Sequence, residues 1–171
     1  LEMARMLTER RMLAPELIRP GNRQRTILLV DDQENILPSL RRLLRRDGYQ
    51  ILSATSGTEG LALLAKNPVD VIVSDQRMPG MTGVEFLREA KLKYPDTIRI
   101  VLSGYTELQS ITDAINEGAI YKFLTKPWDD EQLRANIAEA FRHKELADDN
   151  LRLTEAVKRA NRELALANEQ L

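Results

Sequence analysis

The chain has 171 residues, of which 30% are charged, and its 25 lysines and arginines nearly balance 26 aspartates and glutamates for a formal net charge of -1. That length suits one domain with a single core plus some extra helix, and the balanced charge excludes a global basic footprint for nucleic acid or an anionic membrane surface. Cysteine is absent, which removes disulfides, thiolate chemistry and cysteine-based zinc sites and fits a reducing compartment.

No apolar run approaches the roughly 20 residues needed to cross a bilayer. The amino terminus interleaves Arg5, Arg10 and Arg11 with Glu2 and Glu9 and lacks the apolar core of a secretory signal. Cytoplasm is the expected compartment, with no membrane partner. Residues 1–25 read as a separate N-terminal arm. A short helix over 4–13 fits them, broken by Pro15, Pro20 and Gly21; a partner-docking helix is the alternative to a mobile arm.

From Thr26 onward short apolar runs alternate with amphipathic stretches, the pattern of a parallel sheet covered by helices on both faces. The predicted strands are 27–30, 51–54, 69–74, 98–103 and 120–124. Several lack polar alternation, as strands buried on both faces do. The predicted helices between them are 34–46, 57–66, 84–93, 108–117 and 129–142. Asp47-Gly48, Asn67-Pro68, Tyr94-Pro95 and Glu117-Gly118 stand where these helices should stop. Five such units predict an α/β, doubly wound, five-stranded parallel sheet of flavodoxin-like order 2-1-3-4-5. In that order the carboxyl ends of strands 1 and 3 flank the switch point where ligands bind.

The last segment contains no Gly or Pro from Leu146 on, and Leu146, Asn150, Leu153, Val157, Ala160, Leu164, Ala167 and Leu171 follow one another at spacings of 4 and 3 in turn. This is a heptad seam, and residues 143–171 are expected to form a coiled-coil helix, with Asn150 favouring a parallel two-stranded register. Leu133, Ile137, Ala140 and Phe141 are out of phase with the seam and are expected to face the core instead. The basic residues of the tail (Arg142, Lys144, Arg152, Lys158, Arg159, Arg162) are matched in number by its acidic ones (Glu145, Asp148, Asp149, Glu155, Glu163, Glu169), whereas DNA reading needs clustered positive charge. No direct nucleic-acid binding is expected of it. A seam still in phase at Leu171 leads us to expect an output domain beyond that residue.

The chemistry-bearing residues fall at the carboxyl ends of the predicted strands. Asp31 and Asp32 follow strand 1, Asp75 follows strand 3 and leads into Met78-Pro79-Gly80, Ser103 closes strand 4, and Lys126 follows strand 5. Singly, each has an ordinary explanation: a helix cap for Asp31 or Asp32, a turn for Asp75, loop material for Ser103 and a surface charge for Lys126. Together, three carboxylates, a hydroxyl and an ammonium make a site for Mg²⁺ and a phosphoryl group. A carboxylate can attack phosphorus to give an acyl phosphate, and the obstacle is the meeting of two anions. Positioning and charge neutralisation therefore dominate such catalysis, and a Mg²⁺ held by one or two carboxylates supplies much of it.

The motifs ILLVDD, VDVIVSDQRMPGMTG, IRIVLSGY and YKFLTKPW resemble the receiver domain of two-component response regulators, and the resemblance covers residues 26–142. It implies that Asp75 takes a phosphoryl group from a histidine kinase or phosphotransfer protein. Asp32, Asp75 and the backbone carbonyl of Arg77 would ligate Mg²⁺, with Asp31 acting mainly through bound water. Lys126 and Ser103 would each bind a phosphoryl oxygen, Gly104 would leave room for the group, and Phe123 would be the aromatic switch that swings inward as Ser103 moves. A static core ring is the other reading of Phe123. By the same resemblance Lys126-Pro127 is cis, and Arg77 and Tyr105 tune dephosphorylation. Such a domain is no enzyme beyond its own Mg²⁺-dependent phosphorylation and dephosphorylation.

Three functional classes compete. The first is a receiver that relays its state through a homodimeric C-terminal helix to an effector. The second is a stand-alone receiver acting as a phosphorylation-dependent binding module or phosphorelay intermediate. A small-molecule phosphatase is third, weakened by Arg77 where a second acid/base carboxylate would be needed.

Overall fold

The computed structural model describes residues 24–104 and 107–169. Nearly all of the expected N-terminal arm, Tyr105 and the terminal seam residue Leu171 therefore lie outside the described residues.

Five strands, β1 (Thr26–Val30), β2 (Gln50–Ala54), β3 (Val71–Asp75), β4 (Ile98–Ser103) and β5 (Lys122–Thr125), form one sheet of order β2-β1-β3-β4-β5. All four pairings are parallel. Five helices connect or follow them: α1 (Ile36–Leu44), α2 (Gly57–Lys66), α3 (Gly83–Lys93), α4 (Leu108–Asn116) and α5 (Asp130–Glu169). The sequence predicts this order and every element. Boundaries shift by a residue or two, and the longer helix expected over 34–46 becomes α1 plus a 3₁₀ turn, Arg45–Asp47, closed by left-handed Gly48. That tightening of the last turn supplies partners to carbonyls that would otherwise have none.

Strand alternation sorts the core into two halves. Leu28, Val30, Ile72 and Val101 pack with Phe86, Leu87, Ile111 and Ala114 on the face covered by α2, α3 and α4. Ile27, Leu29, Val71, Val73, Ile100 and Leu102 point the other way, onto Leu37, Leu40 and Leu44 of α1 and onto Leu133, Ile137, Ala140 and Phe141 of α5. The residues placed out of phase with the seam are thus the buried residues of α5. Each fully buried aliphatic side chain contributes about 1.5–3 kcal/mol, so the polar strand ends are held by a core that leaves them little freedom.

Arg99 is buried at the opposite end of β4 and donates to five backbone carbonyls, of Tyr94, Pro95, Thr97, Gly118 and Ala119. It ties the end of α3 to the end of α4 with no need of a counter-carboxylate.

Contacts define a compact unit, Gln24–Lys144. Over 145–169 the helix exposes Leu146, Leu153, Val157 and Leu164 of the predicted seam, each more than half exposed, along with Leu151 and Leu166 off it. Among the described residues no helix is long and apolar enough to cross a membrane.

Candidate phosphoacceptor site

β1 and β3 are adjacent, with Val30 opposite Ser74, so the residues that follow Val30 and the last residue of β3 emerge side by side. One carboxylate oxygen each from Asp31, Asp32 and Asp75 lies within 4.8 Å of the other two. β5 ends on the far side of β4, and the Lys126 ammonium reaches back across it to Asp75 Oδ1 at 2.9 Å and Asp31 Oδ2 at 3.2 Å. Its backbone N–H donates to the Ser103 carbonyl at 2.9 Å, and Lys126-Pro127 is cis. Four of the residues singled out from sequence therefore meet at one point.

Two of the ordinary explanations, the helix cap and the surface charge, fail here. The residue at the start of α1 is Asn35, without a side-chain cap. Asp31 instead accepts the Gln33 N–H at 2.9 Å through Oδ1 while Oδ2 faces Lys126. Lys126 is no free surface charge: its side chain is three-quarters buried between two carboxylates.

Burial is the largest influence on Asp75 and pushes its pKa above the usual carboxylate value; the Lys126 hydrogen bond opposes this, and the charges of Asp31 and Asp32 add to the rise. Burial disfavours the charged form of Lys126 too, but the hydrogen bonds and charges of Asp75 and Asp31 outweigh it and raise the pKa of the ammonium. One ammonium against three carboxylates leaves the cluster net negative. Asp32 Oδ1 is buried and accepts no hydrogen bond, an arrangement that costs free energy unless a cation or water occupies the space before it. All three carboxylates are hard oxygen donors. The residues present thus fit Mg²⁺, which favours one or two carboxylates plus waters and phosphoryl oxygens.

The loop after β3 is fixed by groups not singled out from sequence. Gln76 accepts the Val84 N–H through Oε1 at 2.8 Å, and its carbonyl accepts the Gly83 N–H at 3.0 Å. The start of α3 thereby presses against the backbone of Asp75. A Cβ on Gly83 would collide with the Asp75 carbonyl oxygen, so glycine is required by close approach, not by an unusual φ. Within the same loop, left-handed Gly80, at φ 78°, makes the turn.

Ser103 is buried, and its hydroxyl donates to the Gly104 carbonyl at 2.9 Å and, more weakly, to Glu107 Oε2 at 3.4 Å. The Arg77 guanidinium, 80% exposed, reaches the other oxygen of Glu107 at 3.0 Å. Glu107 carries no motif signal, and nothing in the sequence singles it out. Phe123 is 36% exposed, so in this structure it is not a core residue. Trp128 packs partly buried against the α1/α5 half of the core and donates to Asp130 through Nε1 at 3.1 Å.

Comparison with known proteins gives the family. The family model of the response regulator receiver domain matches residues 27–138. The hydrogenase transcriptional regulatory protein HoxA of Cupriavidus necator is 41% identical over 133 residues, which are 78% of this chain but only 27% of that protein. The sporulation initiation phosphotransferase F of Bacillus subtilis is 33% identical over 63% of this chain and 86% of its own length. Among solved structures, the signal receiver domain of an HD domain-containing protein from Pseudomonas fluorescens Pf-5 superposes with a TM-score of 0.72 at 39% identity, over 77% of this chain and 97% of that one. The chain thus spans about a quarter of the length of HoxA-type relatives.

Proposed function

The chain belongs to the response regulator receiver family, and from that premise we propose that it is a phosphoacceptor whose nucleophile is Asp75. The observation that carries the reading is the Lys126 ammonium seated against Asp75 and Asp31 beside the unpartnered Asp32 oxygen. Asp75 attacks the phosphorus of a phosphohistidine on a histidine kinase or phosphotransfer protein: the N–P bond breaks, an O–P bond to Asp75 forms, and the imidazole leaves with its electron pair. Asp32, Asp75 and the Arg77 backbone carbonyl are the ligands proposed for Mg²⁺, with Asp31 acting through water. When bound, the ion neutralises charge on the carboxylates and on the phosphoryl oxygens. Lys126 can exchange its contact with Asp75 for a phosphoryl oxygen without leaving Asp31. Ser103 supplies a second donor once it turns from Gly104 and Glu107, and Phe123, outward here, is the proposed partner of that movement.

The relay to an effector rests on the exposed seam of α5. Leu146, Leu153, Val157 and Leu164 are uncovered on one chain, and a second copy in parallel register would cover them. Phosphorylation can shift such an assembly only if its two arrangements hold the phosphoryl group unequally. A second reading, a stand-alone phosphorelay module, is favoured by the near full-length match to the sporulation phosphotransferase.

Incubation with Mg²⁺ and acetyl phosphate should add one phosphoryl group to the wild-type chain. Asp75→Asn should take up none, and a chelator should abolish the labelling. Equal incorporation by Asp75→Asn would overturn the assignment of the nucleophile.

A further inference from the structure

Glu107 stands at the N-cap position of α4 but makes no side-chain cap. Its carboxylate instead accepts from two donors that flank Asp75: the Ser103 hydroxyl at 3.4 Å and the Arg77 guanidinium at 3.0 Å. Both belong to residues whose backbone lies close to that of the acceptor. Asp75 pairs with Leu102 across the β3–β4 ladder, which puts Ser103 one residue beyond it, and Arg77 follows Asp75 by two residues. One carboxylate on the loop after β4 thus bridges to the loop after β3.

Building on the phosphoacceptor reading, we propose that Glu107 is a positioning residue that competes with the phosphoryl group for Ser103 and Arg77 and so sets the affinity of the site for it. A hydroxyl has one proton: Ser103 shares it between the Gly104 carbonyl at 2.9 Å and, more weakly, Glu107 at 3.4 Å, and giving it to a phosphoryl oxygen gives up both. Arg77 faces the same choice between two anions. Both effects oppose the phosphorylated state. Toward Mg²⁺ the sign differs, because a carboxylate outside the metal's own ligands can only attract a cation.

The test compares wild type, Glu107→Ala and Glu107→Gln in the full chain, by calorimetric titration with beryllium fluoride, a tetrahedral mimic of the phosphoryl group, at saturating Mg²⁺. Removing one partly exposed ion pair that binding must break should tighten the analogue by about fivefold in Glu107→Ala. Glu107→Gln, which keeps an acceptor but loses the charge, should fall between. Titration with Mg²⁺ alone should show no gain in affinity. Arg77→Ala should reduce the gain produced by Glu107→Ala, as expected of coupled partners. A helix-capping role would instead lower the unfolding temperature and leave the analogue affinity alone. Wild-type binding with unchanged or weaker binding in both Glu107 variants overturns the competition and leaves the phosphoacceptor reading standing. Failure of the wild type itself to bind the analogue in Mg²⁺ overturns that parent reading, and the competition with it.

Discussion

Replacing Asp75 by Asn should stabilise the metal-free protein while weakening its response to Mg²⁺. The Asp31, Asp32 and Asp75 oxygens lie within 4.8 Å of one another, and at an effective dielectric constant of about 20 each such pair repels by about 3.5 kcal/mol. Lys126, at 2.9 Å from Asp75, returns about 6 kcal/mol on the same scale. The two repulsions felt by Asp75 slightly exceed that attraction, and the desolvation of a buried carboxylate adds to the excess. We expect Asp75→Asn to gain about 1–3 kcal/mol in chelator, read as a rise of several degrees in thermal unfolding. The pH dependence has a definite sign. Burial raises the folded-state pKa of Asp75, so the folded protein holds that proton more tightly than the unfolded chain does. The Asp75 contribution to stability therefore falls as pH rises from the ordinary carboxylate range through the folded pKa. That component should vanish in Asp75→Asn. Saturating Mg²⁺ should stabilise the wild type by about 2.7 kcal/mol at a hundred times its Kd, and the variant by less. A wild type more stable than Asp75→Asn in chelator at neutral pH would refute the claim that the carboxylates strain the empty site.

Two further outcomes follow from packing and from the helix. Gly83→Ala forces a Cβ onto the Asp75 carbonyl, so it should cost about 1–3 kcal/mol in urea denaturation and lower Mg²⁺ affinity at the same time; a neutral effect on both would mean that the start of α3 is free to move. Sedimentation of the full chain should reveal a dimer that is lost on truncation after Arg142, since Leu146, Leu153, Val157 and Leu164 supply its seam, and a chain that stays monomeric well above micromolar concentration would remove the dimeric relay.

The sheet order and the meeting of Asp31, Asp32, Asp75 and Lys126 were legible in the sequence because both follow from strand ends. An apolar run fixes where a strand lies, a parallel sheet puts all carboxyl ends on one edge, and a polar residue just past each run must then appear there. Proximity was implied by topology before any side chain was placed. Glu107 was not legible for the same reason in reverse. It lies beyond the end of β4, where no periodicity constrains the chain, and its partners Ser103 and Arg77 meet it only through loop conformation and side-chain reach. Arg99 escaped too, since an arginine inside an apolar strand gives no sign of its five backbone carbonyl partners.

That difference bears on how the site can be tuned. The residues fixed by strand ends are the ones proposed to carry the reaction, and moving any of them requires moving the sheet, which the two-sided core resists. The loop residues are cheaper to rearrange. Ser103 needs only a rotation about its side-chain bond to leave Glu107, and Arg77 is mostly in solvent. A binding event at Asp75 is therefore coupled first to the bridge between the two loops, and through Glu107 to the first turn of α4. Changes at positions 77 and 107 should accordingly alter the affinity and lifetime of the modified state while leaving the fold and the carboxylate cluster in place.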